Sequence, residues 1–374
     1  MIFWIILFFL LTFLAFVFRN KISLVWFLVW LVVAFRYKVG TDYMGYVNLY
    51  NEFQNGILNP HYNFDIGMIS IFNFVDLIGG SYQLVFVIYA TLTIVFFYKG
   101  FRFYSKGDPA LNVLFLLLFL AFLFFSTVHI IRFELASAVL FYATRYIVER
   151  KFSLYVFFVF LATLFHLTAM LFLFVYPLSK VKVNYKTIVI FIMISTFVMF
   201  AHPVRSVVEH LAGYDLPYLF YLTSEKYNIP ASLFAIINTY IYMLIALTTF
   251  KYYTKSRIDQ FVFIMFLVFI FMRVLSFDIY IFARLSLYFN PFLIIYLGYL
   301  VLKVNFTQKQ VSWMIFLLIL FGSLGGSIYG LIKREGLQRV FYTQYSVNIG
   351  LFHKPCIIDI YGDPSKLPDS NMEQ

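Results

Sequence analysis

The chain is divided into apolar runs of helix length, and these limit its fold more than any other feature. Eleven stretches are dominated by aliphatic and aromatic residues: 2–18, 22–36, 66–98, 110–127, 132–148, 152–177, 187–201, 231–250, 258–276, 281–302 and 311–331. A helix needs about 20 residues to cross the hydrocarbon core, within a range of about 17–25. Backbone polar groups find no water in lipid, so only helices and closed barrels span a bilayer. The runs are continuous and lack apolar/polar alternation, which rejects a barrel. Hydrophobic residues make up 63% of the 374, against about 45–50% in soluble domains. The expected fold is an all-α integral membrane protein, a polytopic bundle of about 10–12 transmembrane helices. The long runs 66–98 and 152–177 are expected to be broken or re-entrant. The expected organisation is one polytopic transmembrane domain over 1–332 and a polar C-terminal tail over 333–374. Residues 1–18 lack a basic n-region and a small-residue cleavage site, so they read as a retained first helix.

Lysine and arginine in short loops set the orientation. Arg19 and Lys21 put the first turn in the cytoplasm, with 37–65 on the outer face. Lys99, Arg102 and Lys106 ask for the next inner loop, which works if 66–98 crosses once and breaks around Gly79-Gly80. Arg145, Arg150 and Lys151 mark one inner turn, and Lys180, Lys182 and Lys186 another. Both are inside only if 152–177 enters and returns. This scheme leaves 37–65, 128–131, 202–230 and 277–280 outside, and simple counting places the tail there too.

Against that background some polar residues need a reason. Arg36 to Tyr46 follows an apolar run and holds an arginine, an aspartate, two glycines and three tyrosines. Arg132 opens a span, Arg273 closes one and Arg284 begins another. A charge at the centre of a membrane helix costs about 2.5–3.5 kcal/mol, although one near an end can snorkel to the interface. Each arginine alone reads as an anchor or as a ligand. All four map to outer ends, against the positive-inside bias, which favours a functional cluster. Arginine's planar fork makes paired, charge-assisted bonds to phosphate and does not deprotonate. Glu134 lies two residues from Arg132 and points elsewhere on a helix, so the partner of Arg132 stays open.

Two groups are candidate bases. His166 lies within an apolar run, as a satisfied core histidine or as the tip of a re-entrant hairpin reaching a wet cavity. Asp42 is a base or the N-cap of a surface helix. Tyr43, Tyr46, Val47 and Tyr50 recur at helical spacing, which favours the helix. Asp278, in a short outer loop, is a third acid.

The formal charge of +11 fits the positive-inside rule, anionic lipid headgroups or an anionic lipid-linked substrate. No basic block with interleaved aromatics occurs in a soluble segment, which argues against nucleic acid. The single Cys356 excludes an intrachain disulfide and a cysteine-rich metal site. No P-loop, dinucleotide fingerprint, HExxH or GxSxG occurs. No DxD occurs either, so no cofactor and no metal are expected. The 30 tyrosines belong to interfacial belts, with a share for stacking on sugars.

The order of motifs resembles the EpsG-type, Wzy-like polysaccharide polymerases of bacterial envelopes. It runs from Arg36 to Asp42-Tyr43, through Asp65-Ile66-Gly67, Arg132 to Ala143 and Ala162 to Ala169, to Arg284 through Phe289. That family more often carries Glu at position 65 and Gln at 133, where Phe133 stands here. The resemblance covers roughly residues 1–300. It implies a GT-C-like, metal-independent membrane glycosyltransferase of the inner membrane. Such an enzyme joins undecaprenyl-pyrophosphate-linked oligosaccharide repeat units on the periplasmic face and releases undecaprenyl pyrophosphate.

In that scheme Arg132 and Arg284, with Arg36 or Arg273, hold pyrophosphate, and His166 or Asp42 deprotonates the acceptor hydroxyl. Tyr43 and Asp278 join the substrate-binding set. Membrane lipids and a polysaccharide chain-length regulator are the expected partners. The rival readings are a flippase or exporter of the same lipid-linked sugar, an O-antigen ligase, and a scaffold protein. A flippase needs charges reachable from both faces or internal repeats. A ligase needs a large outer loop.

Overall fold

The protein is described here by a computed structural model covering residues 2–57, 65–203, 233–253, 256–279, 281–303, 345–348, 350–351 and 357–361. The span expected over 311–331, nearly all of the outer loop 202–230 and Cys356 lie outside the described residues. The chain is an all-α polytopic membrane protein. Four described helices are long and apolar enough to cross a membrane, and several shorter apolar ones accompany them.

The chain divides into two compact units. The first holds residues 1–146, 151–170 and 313–374, and the second holds 147–150 and 171–312. In the first unit, α1 (Ile2–Val17), α2 (Ser23–Ala34), α3 (Tyr43–Gln54), α4 (Ile66–Leu77), α5 (Tyr82–Ser105) and α6 (Pro109–Phe122) follow in order. Then come α7 (Phe124–His129), α8 (Ile131–Val148) and α9 (Phe152–Thr163).

The break expected at Gly79-Gly80 is present. α4 ends at Leu77, and Gly79 takes a positive φ of 67° that a side chain would resist. Ser81 then caps α5, its hydroxyl accepting from the Gln83 N–H at 3.2 Å. The run 152–177 is broken too: α9 stops at Thr163 and a 3₁₀ helix occupies Leu167–Phe174. His166 lies in the gap between them.

Lipid tails are as apolar as leucine, so packing rather than water exclusion holds such helices together. The first unit relies on interlocked aromatics. Trp26 packs on Phe119 at 4.8 Å and Phe101 on Phe141 at 4.8 Å. Gly100 lets α5 approach α8, since a Cβ there would come within 2.5 Å of the Phe141 ring. Phe9, Phe13 and Phe16 on α1 face outward, as lipid-facing bulk does.

The last carbonyls of α2 lack intrahelical partners, and buried side chains supply them. Arg36 donates to Val33 O at 2.5 Å, and Gln83 Nε2 donates to Ala34 O at 2.7 Å. Gln83 Oε1 in turn accepts from the Tyr43 hydroxyl at 3.4 Å.

A small antiparallel sheet joins this end of the first unit. β1 (Arg36–Tyr37) pairs with β2 (Tyr345–Asn348), and β2 pairs with β3 (Ile357–Tyr361). Ser81 donates to Gly350 O at 2.6 Å and to Leu351 O at 2.8 Å. Residues 345–348 and 350–351 of the tail therefore sit at the same end of the unit as Arg36. The opposite end carries Arg19, Lys21 and Arg102. The 24 residues of α5 set the two ends about 36 Å apart, enough for a hydrocarbon core of about 30 Å.

In the second unit, α10 (Val175–Leu178), α11 (Tyr185–Ala201), α12 (Leu233–Thr249) and α13 (Arg257–Ser276) precede α14 (Ile281–Ser286) and α15 (Asn290–Lys303). Its core centres on Tyr296, stacked on Phe266 at 3.8 Å and on Tyr253 at 4.7 Å. The Tyr253 hydroxyl donates to Tyr296 O at 2.6 Å, and the Tyr296 hydroxyl meets Thr249 Oγ1.

Gln83→Leu strands the Ala34 carbonyl and the Tyr43 hydroxyl, at a cost of about 1–3 kcal/mol. Thermal unfolding of the purified protein should show a clear drop in Tm. Asn48→Ala, at an exposed position of α3, should stay within about 0.5 kcal/mol of wild type.

Candidate functional site

Three segments far apart in sequence meet at one end of the first unit. The first is α3. Tyr43, Tyr46, Val47 and Tyr50 are its buried face, so the helical spacing of these residues marks a packed helix. Tyr43 stacks on Phe86 at 4.5 Å with ring planes 5° apart. Tyr50 donates to Gly80 O at 2.9 Å.

The second segment is the start of α4. Asp65 holds the N-cap position, yet its side chain makes no cap bond. It accepts instead from Arg132 NH1 at 2.9 Å. Arg132 Nε points to the Tyr46 hydroxyl at 3.4 Å, and the guanidinium lies 5.7 Å from the Tyr46 ring centre. Asp65 is thus the partner of Arg132 that spacing alone left open. Glu134 is fully buried elsewhere and forms no ion pair with Arg132.

Burial pushes the Asp65 carboxyl above its usual range. The Arg132 charge and hydrogen bond and the Leu167 N–H oppose this without cancelling it. Burial also raises the Tyr46 hydroxyl, Arg132 opposes the rise, and the charge of Asp42 adds to it. Tyr46 therefore lies within the fields of both Arg132 and Asp42.

The third segment is the turn after α9. Gly67 N–H donates to Leu164 O at 2.7 Å. A Cβ on Gly67 would stand 2.7 Å from the Phe165 ring and 2.8 Å from Leu164 O. Only glycine allows this contact, which seats the turn against Asp65. Phe165 also lies 6.2 Å from the ring of Tyr89. His166 follows at once, half-buried, its ring 5.2 Å from Phe133 in an edge contact. His166 Nδ1 is 2.7 Å from Thr168 Oγ1. When Nδ1 donates to that hydroxyl, Nε2 carries the lone pair a base needs.

The loop before α3 docks on the junction of α7 and α8. Thr41 N–H donates to His129 Nδ1 at 3.0 Å. An accepting Nδ1 places the proton of a neutral imidazole on Nε2. Gly40, at φ 110°, lies so close to Val128 O that any side chain would collide with it. Asp42 is at the N-cap position of α3 but makes no cap bond; it accepts from Thr41 Oγ1 at 3.0 Å. Asp42 is exposed.

Arg36 is 1% exposed and is committed to the Val33 and Val39 carbonyls, with its guanidinium 4.8 Å from the Phe86 ring centre. Its shown contacts are those of a cation closing the C-terminus of α2.

The remaining expected residues belong to the second unit. Arg273 lies 5.7 Å from the Phe269 ring centre and 6.0 Å from that of Tyr242. Asp278 is buried, 3.4 Å from His202 Nδ1. Arg284 is exposed on the short helix α14.

The first unit therefore gathers Arg132, His166, Asp42 and Tyr43 with three residues that sequence reasoning assigned no role: Asp65, Tyr46 and His129. For Asp65 a signal existed, an acid followed by glycine just before an apolar run. His129 gave none beyond its place three residues before Arg132.

Asp65 carries a pH signature. Its carboxyl is raised in the folded protein, so between the ordinary value of about 3.9 and the raised one the folded state binds more protons than the unfolded. Stability then falls as pH rises through that window. The Tm of wild type should drop relative to Asp65→Asn as pH rises above the ordinary carboxylate value of about 3.9. A constant difference between the two would contradict this placement of Asp65.

The model of the EpsG family matches residues 20–333. No curated protein and no solved structure matches the chain. The match takes in α2 to α15 and every residue of the Arg132 cluster. Membership points to a polysaccharide-polymerase-like, multi-pass membrane protein. The chain belongs to the EpsG family.

Proposed function

We propose that the protein polymerises a bacterial surface polysaccharide of the O-antigen type. It would join undecaprenyl-pyrophosphate-linked repeat units on the periplasmic face of the inner membrane and release undecaprenyl pyrophosphate. The observation that carries this reading is the convergence of Arg132, Asp65, Tyr46 and the His166 turn at one end of the first unit.

In glycosyl transfer from a lipid pyrophosphate, negative charge builds on the leaving group. A preorganised guanidinium stabilises that charge more in the transition state than in the ground state. Arg132 meets this need: Asp65 and Tyr46 orient it, and it retains 29% side-chain exposure. Asp65 acts as a positioning residue. Its carboxylate also occupies the guanidinium in the absence of substrate, and the incoming phosphate competes with it.

The acceptor hydroxyl needs a base. His166 is placed for that role, because Thr168 can fix its Nδ1 and leave Nε2 basic. Asp42, exposed near Tyr46, is the second candidate. Tyr43 is stacked and buried, so its part is to hold α3 in place. Arg273, Arg284 and Asp278 of the second unit are separate proposals as substrate ligands, each tested by its own substitution.

Purified protein supplied with lipid-linked repeat units should form polymer. Arg132→Ala should lower the rate by about 10²-fold or more, and Arg132→Lys should restore only part of it. His166→Ala should lower the rate by about 10²–10⁴-fold and leave Tm close to wild type. Polymer formation unchanged in Arg132→Ala would refute the assignment. A deletion strain should carry single repeats on lipid A-core. Polymer accumulating on carrier lipid would indicate a ligase instead.

A further inference from the structure

The opposite end of the first unit holds a second feature. The turn between α1 and α2 and the loop between α5 and α6 enclose a cleft of about 160 Å³. Arg19, Lys21 and Arg102 line it together with Asn20, Tyr98 and Asn112. Three of the lining side chains are cations and none is an acid. Among the described residues, no carboxylate is paired with Arg19, Lys21 or Arg102. Asp108, between the lining residues Gly107 and Pro109, is itself engaged in capping α6, its Oδ1 accepting from the N–H groups of Ala110 and Leu111.

The walls are ordered. Arg102 donates to the Tyr98 hydroxyl at 2.9 Å, which holds the guanidinium along the cleft. Ser105 donates to Asn112 Oδ1 at 2.7 Å, an arrangement that leaves the Asn112 amide N–H groups for another acceptor. Lys99 and Lys106 stand close by, both exposed. Three unneutralised cations together repel one another, and an anion among them relieves that cost.

The surroundings say what bears the anion. The turn that lines the cleft joins two helices that carry greasy, exposed residues next to it. Phe13, Phe16 and Val17 lie on the last turns of α1, and Leu24 and Phe27 lie on the first turns of α2. A soluble anion has no use for such flanks. A lipid places its phosphate at this level and its acyl chains along those faces. Basic pockets between membrane helices at a headgroup layer take anionic lipids in this way.

We propose that the Arg19–Lys21–Arg102 cleft is a binding site for the phosphate of an anionic glycerophospholipid. It pins the α1–α2 turn to the α5–α6 loop at the end of the unit opposite Arg132. The site is independent of the polymerase reading.

The test uses the full chain, purified and delipidated in detergent, with Tm followed as lipid is added. Phosphatidylglycerol should raise Tm, because a ligand that binds the folded state stabilises it. Phosphatidylcholine and inorganic phosphate should not. Replacing Arg19, Lys21 and Arg102 together by Gln should raise the half-saturating phosphatidylglycerol concentration by at least about tenfold. The same charge change at Lys180, Lys182 and Lys186 should leave it unaltered. An unchanged Tm of the first variant in phosphatidylcholine shows that it folds, and Arg102→Lys should retain part of the response that Arg102→Gln loses.

Equal loss in the two triple variants would overturn the site in favour of general surface charge. A shift produced equally by inorganic phosphate would overturn the lipid assignment, and no shift with phosphatidylglycerol would overturn both.

Discussion

An arginine at the mouth of an apolar helix needs an anion, and the ion pair between Arg132 and Asp65 answers that need. The two residues are 67 positions apart and their charged atoms 2.9 Å apart. Nearly everything at this end of the unit follows from making that contact. α4 must begin where Asp65 can reach α8, so the long run 66–98 breaks at Gly79. The turn after α9 must come close enough for Leu167 N–H to reach Asp65, so position 67 has no side chain. Tyr46 must lie beneath the guanidinium, so the tyrosine stripe of α3 faces inward. The pair is only partly shielded, and an arginine so held can exchange one anion for another.

The architecture was legible because lipid leaves few choices. Apolar runs of helix length, the glycine pair at 79–80 and the overlong run 152–177 pointed to helices and breaks that the structure contains. Arg132 also stood out, as a charge at a helix start on the side the charge bias disfavours. Its partner did not, because i, i+2 spacing removed Glu134 without nominating an acid elsewhere. Long-range pairing has no local signature. The strands of the tail escaped for the same reason: β2 takes its register from β1, more than 300 residues earlier. Arg36 illustrates the converse. Its position resembled that of Arg132, but the Val33 carbonyl at the end of α2, the Val39 carbonyl in the loop beyond it and the ring of Phe86 use it. Whether an arginine caps a helix or meets a ligand depends on which carbonyls lie within reach, and only the fold decides that.

The first unit is polar at both ends for different reasons. At one end the Arg132 guanidinium is held by a carboxylate and a phenol and framed by histidine and aromatic rings. At the other, among the described residues, Arg19, Lys21 and Arg102 pair with no carboxylate and stand beside lipid-facing helices. About 36 Å of α5 separates them, so the two ends meet different chemistry. A fixed, partly exposed cation suits charge that develops and leaves. A cluster of unneutralised cations suits charge that stays.

The central claim is that Arg132 receives the pyrophosphate. The most direct measurement is the affinity of the purified protein for undecaprenyl pyrophosphate, compared among wild type, Arg132→Gln and Asp65→Asn. The account predicts weaker binding by about tenfold or more in Arg132→Gln, as expected when a charge-assisted contact of about 1.5–3 kcal/mol is lost. It predicts equal or tighter binding in Asp65→Asn, where the competing carboxylate is gone. Undiminished affinity in a folded Arg132→Gln protein would contradict it.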